Sequence, residues 1–250
     1  MVAASKIAAG YADRMYSQYA RVRPNHAAPN SLADILGSEL VFRKSFSPWL
    51  PTSKDAKMLD LGCGYGEFVY FLQREGYARA MGVDRNVQQA EVARKLGVAN
   101  LHCVKAQEFL RRSLNEFDFI SAIDVLEHIP KSEVPEFLDL VRAALRPRGR
   151  FLCQVPNLAA FYNQLFYKDF SHETPFTPSS LKQILELTDF TNVQVFPMGP
   201  VVHGVKSAAR HVMWKAISGI MRFVQAVEGG PRGPLDSIFT AAIVATADKG

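Results

Sequence analysis

The chain has 250 residues, of which 48% are apolar and 21% charged, enough to bury the core of one domain with additions and outside the range of disordered or fibrous proteins. Its formal charge of +5 and pI near 9.1 come from Lys and Arg residues that are scattered rather than blocked. Nucleic acid is therefore not indicated as a partner, while acidic small molecules or a membrane surface fit equally well.

Residues 1–50 read as a mixed helical cap broken by Pro24, Pro29, Pro48 and Pro51, and residues 51–250 as the main domain. From Lys57 short apolar runs alternate with amphipathic stretches. "KMLDLG", "ARAMGVD", "LHCV", "FDFISAI" and "RFLCQVPN" predict strands. "EFVYFLQREG", "VQQAEVARKLG", "AQEFLRRS" and "VPEFLDLVRAALRPRG" predict the helices between them. Such repetition implies a parallel sheet covered by helices on both faces, with ligands bound beyond the carboxyl ends of the strands. Residues 158–177 then form a substrate-facing insertion, and Thr177-Pro178 opens a helix through "SSLKQILEL". "TNVQVFPM" and "SIFTAAIVATA" predict the last two strands. Between them, an insertion over 201–230 contains the basic amphipathic stretch "VKSAARHVMWKAISGIMRFVQAV". Packing of this helix on the sheet or on a second subunit is the expectation, and a membrane-surface helix is the alternative.

Cys63, Cys103 and Cys153 each fall in or beside a predicted strand without CxxC spacing, which predicts small buried side chains in a reducing cytosol. There is no basic-then-apolar leader pattern, and no apolar run approaches the roughly 18 residues that would span a bilayer. A soluble, cytoplasmic protein is expected, with the inner face of the membrane as its one candidate surface.

Two stretches carry chemistry. In "MLDLGCGYGEF", Gly62, Gly64 and Gly66 allow a tight turn and close approach of a ligand, between Asp60 and a second acid, Asp84, that ends "MGVD". Glu67 at the following helix start opposes a phosphate. In "SAIDVLEHIP", Asp124, Glu127 and His128 follow a buried strand, where ionisable groups are costly unless something pairs with them. Two carboxylates and an imidazole in one pocket are chemically suited to a divalent cation.

The glycine loop resembles motif I of the class I S-adenosylmethionine-dependent methyltransferases, and "GVD" resembles their ribose-binding acid. The resemblance implies a Rossmann-like, seven-stranded α/β sheet with an N-terminal helical cap and a C-terminal helical insertion. It implies S-adenosylmethionine as cofactor, with Asp60, Gly62 and Gly64 around the methionine part, Asp84 at the ribose and Ile123 near the sulfonium. Arg43 matches an arginine that some relatives use for the methionine carboxylate, and Ala106 and Gln107 fall at the adenine position. Here Lys105 stands where many relatives carry an adenine-binding Asp.

"DVLEH" is similar to the ExxEH motif of ubiquinone-biosynthesis O-methyltransferases and small-RNA 2′-O-methyltransferases, with Asp124 in place of the first Glu. That similarity implies Mg2+ or another divalent cation on Asp124, Glu127, His128 and His172. "VLEH" also occurs in metal-free relatives, where the Glu and His make structural bonds or line the pocket; without a metal, His172 or His128 is the candidate general base, with Glu127 also a candidate catalytic residue. "DFSHETPFTPSSL" resembles a segment of methyltransferases of bacterial polysaccharide assembly, which implies a sugar or glycan hydroxyl as acceptor. A phenolic or quinone-type acceptor is the alternative, and an inactive cofactor-binding partner subunit is the non-enzyme alternative. Phe161, Tyr162, Phe166, Tyr167, Phe170 and Phe176 are candidates either to stack on the acceptor or to pack the insertion.

Overall fold

The computed structural model describes residues 15–16, 18–19, 28–161, 164–230 and 232–250. Expectations for the rest of the first 27 positions, and for Tyr162, lie outside the described residues.

Helices α1 (Leu32–Ile35) and α2 (Glu39–Ser45) precede the sheet. Then follow β1 (Met58–Leu61), α3 (Glu67–Arg74), β2 (Ala80–Asp84), α4 (Val87–Lys95), β3 (Leu101–Cys103), α5 (Ala106–Leu110) and β4 (Phe117–Ile123). The second half comprises α6 (Val134–Ala144), β5 (Leu145–Pro156), α7 (Gln164–Tyr167), α8 (Pro178–Leu187), β6 (Phe190–Met198), α9 (Val205–Gly229) and β7 (Ala242–Lys249).

The seven strands lie in the order β3-β2-β1-β4-β5-β7-β6. β1 to β5 pair in parallel, whereas β7 is antiparallel to both neighbours. The chain builds outward from β1 through β2 to β3, then returns to place β4 on the other side of β1. This reversal opens a crevice at the carboxyl ends of β1 and β4.

Period-two alternation splits the core. Leu59, Phe151, Cys153 and Ile243 pack with α6 and α8, while Met58, Phe119, Leu152 and Val244 join Phe42, Phe46, Phe68 and Phe71. Aromatic contacts of Phe42 and Phe46 with Phe68 and Phe71 at 5.1 to 5.6 Å hold α2 against α3. α8 starts as its sequence predicts: Thr177 Oγ1 accepts from the Ser180 N–H at 3.2 Å, and Ser180 Oγ accepts from the Thr177 N–H at 2.9 Å.

Three local expectations are corrected. The helix predicted through Gly149 ends at Ala144, and Leu145 is already extended (φ −68°, ψ 144°). Pro147 lacks an N–H and disfavours the helical region for Arg146, so the chain enters β5 early. The last strand starts at Ala242 rather than Ser237, because Leu235–Ser237 form a 3-10 turn. Cys103 is exposed, since β3 is an edge strand with neighbours on one side only; Cys63 and Cys153 are buried.

Candidate active site

At the carboxyl ends of the central strands lies a cavity of about 730 Å³, whose lining includes Asp60, Gly62, Gly64, Asp84, Ile123 and His128. The floor is the β1–α3 loop. Gly62, Gly64 and Gly66 take φ of 66°, 56° and 74°, left-handed conformations that strain any residue with a Cβ. At Gly62 a Cβ would also stand 2.7 Å from Val125 Cγ2. Gly62→Ala is expected to destabilise the fold by about 1–3 kcal/mol through strain and overlap. Denaturant titration checks this, and adding Val125→Ala recovers only the overlap share.

The two acids in the loop behave differently. Asp84 ends β2 with Oδ2 accepting from the Gly64 N–H at 2.9 Å and Oδ1 from the Asn86 N–H at 2.7 Å, which tie the loop to the second strand. Asp60 is buried on β1. Burial pushes its carboxyl up to about 7, the Ser121 hydroxyl bond (2.7 Å) pulls the other way, and the charges of Asp84 and Glu67 add to the rise. Burial also raises the Cys63 thiol well above its usual range, so this loop cysteine is no nucleophile.

Beyond β4 the chain turns at Asp124, which takes φ 54°, into a 3-10 turn over Leu126–His128. That turn separates neighbours. Asp124 and His128 line the cavity, whereas Glu127 points inward and is 1% exposed. Asp124 accepts a bond from Gln154 Nε2 at 2.8 Å. Glu127, His128 and His172 converge, with one ligand-type atom of each within 4.8 Å of the others; Asp124 is not part of this group.

The partners of the imidazoles define their protons. Ser171 Oγ lies 2.6 Å from Asp169 Oδ1, and an ionised carboxylate only accepts, so the hydroxyl proton points there. Ser171 Oγ (2.9 Å) and the Ser171 carbonyl (3.2 Å) then both present acceptors to His128 Nδ1, which must carry the proton. His172 Nδ1 likewise faces the Phe166 carbonyl at 2.8 Å. Both rings are thus held as Nδ1–H tautomers, with Nε2 as the basic nitrogen. Burial opposes ionisation of Asp169, but bonds from Ser171 and the Tyr19 hydroxyl, together with nearby His128, outweigh it and hold the carboxyl below its ordinary value. The two imidazole rings meet edge to face at 4.7 Å.

Most sequence-predicted residues come together, including Ala106 and Gln107 with Lys105 beside them on the cavity wall. Arg43 does not. Its guanidinium lies 2.8 Å from both Glu39 and Glu75, whereas Phe42, about 100° away around α2, faces the cavity. Of the aromatic candidates, Phe166 and Phe176 are buried packing residues, and Phe161, Tyr167 and Phe170 are exposed outside the cavity lining. Sequence reading missed Ser171 and Asp169, although both lie in the "KDFSHET" stretch that it singled out. It also missed Tyr16 and Tyr19, which line the cavity and for which no local signal exists. The Tyr16 hydroxyl bonds the His128 carbonyl at 3.3 Å, and Tyr19 bonds Asp169 at 2.9 Å.

Known proteins resemble this chain in sequence and in fold. Residues 34–195 match the family described as a methyltransferase domain. A protein named a probable fatty acid methyltransferase from Mycobacterium tuberculosis is 28% identical over 135 residues, 52% of this chain and 30% of its own length. A ubiquinone biosynthesis O-methyltransferase from Neisseria meningitidis is 28% identical over 80 residues, 30% of this chain and 34% of its own length. The chain thus matches about a third of the length of these curated relatives. Among solved structures, a SAM-dependent methyltransferase from Archaeoglobus fulgidus superposes with a TM-score of 0.60 at 22% identity, covering 84% of this chain and 92% of that one. A phosphoethanolamine N-methyltransferase from Haemonchus contortus, solved with S-adenosyl-L-methionine, gives 0.57 at 17% identity over 91% and 58%. With the family match spanning more than half of the sequence, and the sheet order and glycine loop in accord, the chain belongs to the class I S-adenosylmethionine-dependent methyltransferases.

Proposed function

We propose that the protein is an S-adenosylmethionine-dependent O-methyltransferase that methylates a hydroxyl of a sugar or glycan. The observation that carries the oxygen acceptor is the pair of Nδ1–H imidazoles at the end of β4, one of which lines the cavity. A hydroxyl must lose a proton as it attacks, and a neutral imidazole is suited to take it near pH 7. The resemblance of the segment around His172 to polysaccharide methyltransferases supports a sugar. A phenolic or quinone-type acceptor is the second reading, favoured by the relative named a ubiquinone biosynthesis O-methyltransferase.

The cavity fits the cofactor: the loop glycines bring backbone to its floor with no side chain between, and carboxylates stand at two of its positions. Bound S-adenosylmethionine supplies a methyl group activated by its sulfonium. Asp60 would face the methionine ammonium, Asp84 would accept from ribose hydroxyls, and Ile123 would line the sulfonium end. His128 takes the acceptor proton at Nε2, while Ser171 and Asp169 fix its tautomer and stabilise the imidazolium. Holding the acceptor in line supplies much of the rate.

A divalent cation also fits the residues present, since both imidazoles donate Nδ1–H elsewhere and a buried carboxylate stands beside them. Glu127, His128 and His172 would hold it, as an alternative to His128 acting as the base, because its one basic nitrogen cannot both bind the ion and take the proton. Two imidazole donors suit a first-row transition ion better than Mg2+. Such an ion would supply Lewis acidity toward the acceptor hydroxyl.

The test is transfer of labelled methyl into an extracted glycan fraction, with and without chelator. Label in the glycan, stable to base as an ether, is the expected result; label in a quinone fraction favours the second reading, and no label in either removes the proposal. Thermal melts with Mn2+ read the cation separately. A rise in Tm of a few degrees that Glu127→Gln abolishes is expected for a ligated ion.

A further inference from the structure

α9 is inside out. A helix of a globular protein turns its apolar stripe to the core, but the side of α9 that faces the body carries buried Ser207 and Ser218 with half-buried Ala208, His211, Trp214, Met221 and Gln225. Ser207 Oγ accepts from the His203 N–H at 2.8 Å, and Gln225 Nε2 donates to the Asp236 carbonyl at 3.1 Å. Most of its large apolar residues point the other way: Val205 is 88% exposed, Val212 66%, Ile220 63%, Phe223 69% and Val227 72%. The expectation that this stripe packs on the sheet is therefore corrected.

At 100° per residue these side chains fall on one stripe, flanked by Lys206 and Arg210 on one edge and by Lys215 and Arg222 on the other. Against these four cations the helix carries a single acid, Glu228. A second copy of this chain seated on the stripe would bring like-charged edges together, which disfavours it. An anionic bilayer satisfies both features at once, taking the apolar stripe among its acyl chains and the flanking cations at its headgroups. No helix among the described residues is long and apolar enough to cross a membrane, so α9 would lie in the surface plane. β6 runs in the same direction as β5, and β7 restarts at Ala242, which pairs with Pro156 at the carboxyl end of β5. α9 therefore leaves and rejoins the sheet at the end that holds the cavity.

We propose that α9 docks the protein on an anionic lipid surface through its outward stripe of Val205, Val212, Ile220, Phe223 and Val227. Docking is independent of the acceptor's identity. The test is co-sedimentation of the full chain with phosphatidylcholine vesicles, with and without phosphatidylglycerol. Pelleting that needs phosphatidylglycerol and weakens with salt is expected. Phe223→Asp, at a position exposed in the unbound chain and checked for fold by circular dichroism, should abolish it, and Lys215→Gln with Arg222→Gln should weaken it about thirtyfold. Absence of pelleting, equal pelleting with both vesicle types, or a dimer in light scattering that Phe223→Asp dissolves would each overturn the proposal.

Discussion

His128→Ala is expected to lower kcat by about 10²–10⁴-fold, the usual contribution of a positioned acid or base, while calorimetric affinity for S-adenosylhomocysteine stays within a few-fold of the parent. The separation is expected because His128 stands at the end of β4 beyond the glycine loop, where its ring meets the Ser171 hydroxyl and carbonyl. Asp169 acts through it as a positioning residue. Asp169→Asn leaves the Ser171 N–H and Oγ a carbonyl acceptor but removes the charge that stabilises an imidazolium. A smaller loss, about tenfold, is expected. The acid limb of the pH–rate profile should also move to lower pH, because without that charge the ring stays neutral to a lower pH. A purely structural role for Asp169 would lower the amplitude without moving that limb. Equal loss of cofactor affinity and kcat in His128→Ala would place His128 in the cofactor site instead of at the acceptor.

Asp60→Asn is expected to weaken S-adenosylmethionine about 100-fold, the scale of losing a charged partner, while making the unliganded protein more stable at pH 8. The two effects share a cause. Asp60 ionises in the fold only near pH 7, against an ordinary value of 3.8, so the native state binds more protons than the unfolded chain between those values. The contribution of Asp60 to stability is therefore greatest below about pH 4 and declines as pH rises to 7, by a total on the order of a few kcal/mol. The Asp60→Asn substitution would abolish that decline and still offer Ser121 Oγ an acceptor. The parent's affinity for a cationic ligand should rise up to about tenfold per pH unit toward pH 7, since below it binding must release the proton. Calorimetry at pH 6 in buffers of different ionisation enthalpy reads that release directly. Affinity that is flat with pH in the parent would show that Asp60 does not meet the ligand's cation.

Much of this site is legible in the one-dimensional pattern. Glycines at 62, 64 and 66 between two apolar strands, and acids at 60 and 84, are local features whose geometry follows from backbone sterics and strand alternation. Contacts that join distant segments are not legible in this way. Nothing near Arg43 in the sequence reveals Glu75, which captures it 32 residues away, and nothing near Tyr19 reveals Asp169, 150 residues on. Within "DVLEH" the composition announces a polar cluster, yet only the 3-10 turn sends Glu127 inward and His128 to the cavity while leaving Asp124 to Gln154.

The amino-acid order alone determined the alternation of strands and helices, the loop that receives the cofactor, and the capped start of α8, because each depends on interactions among neighbours in the chain. Tertiary structure decided which imidazole nitrogens carry protons and which way α9 turns its stripe. A helical period groups apolar residues on one face but carries no information about what that face meets; in the fold the opposite face, with Ser207, Ser218 and Gln225, lies against the body, and the stripe faces solvent.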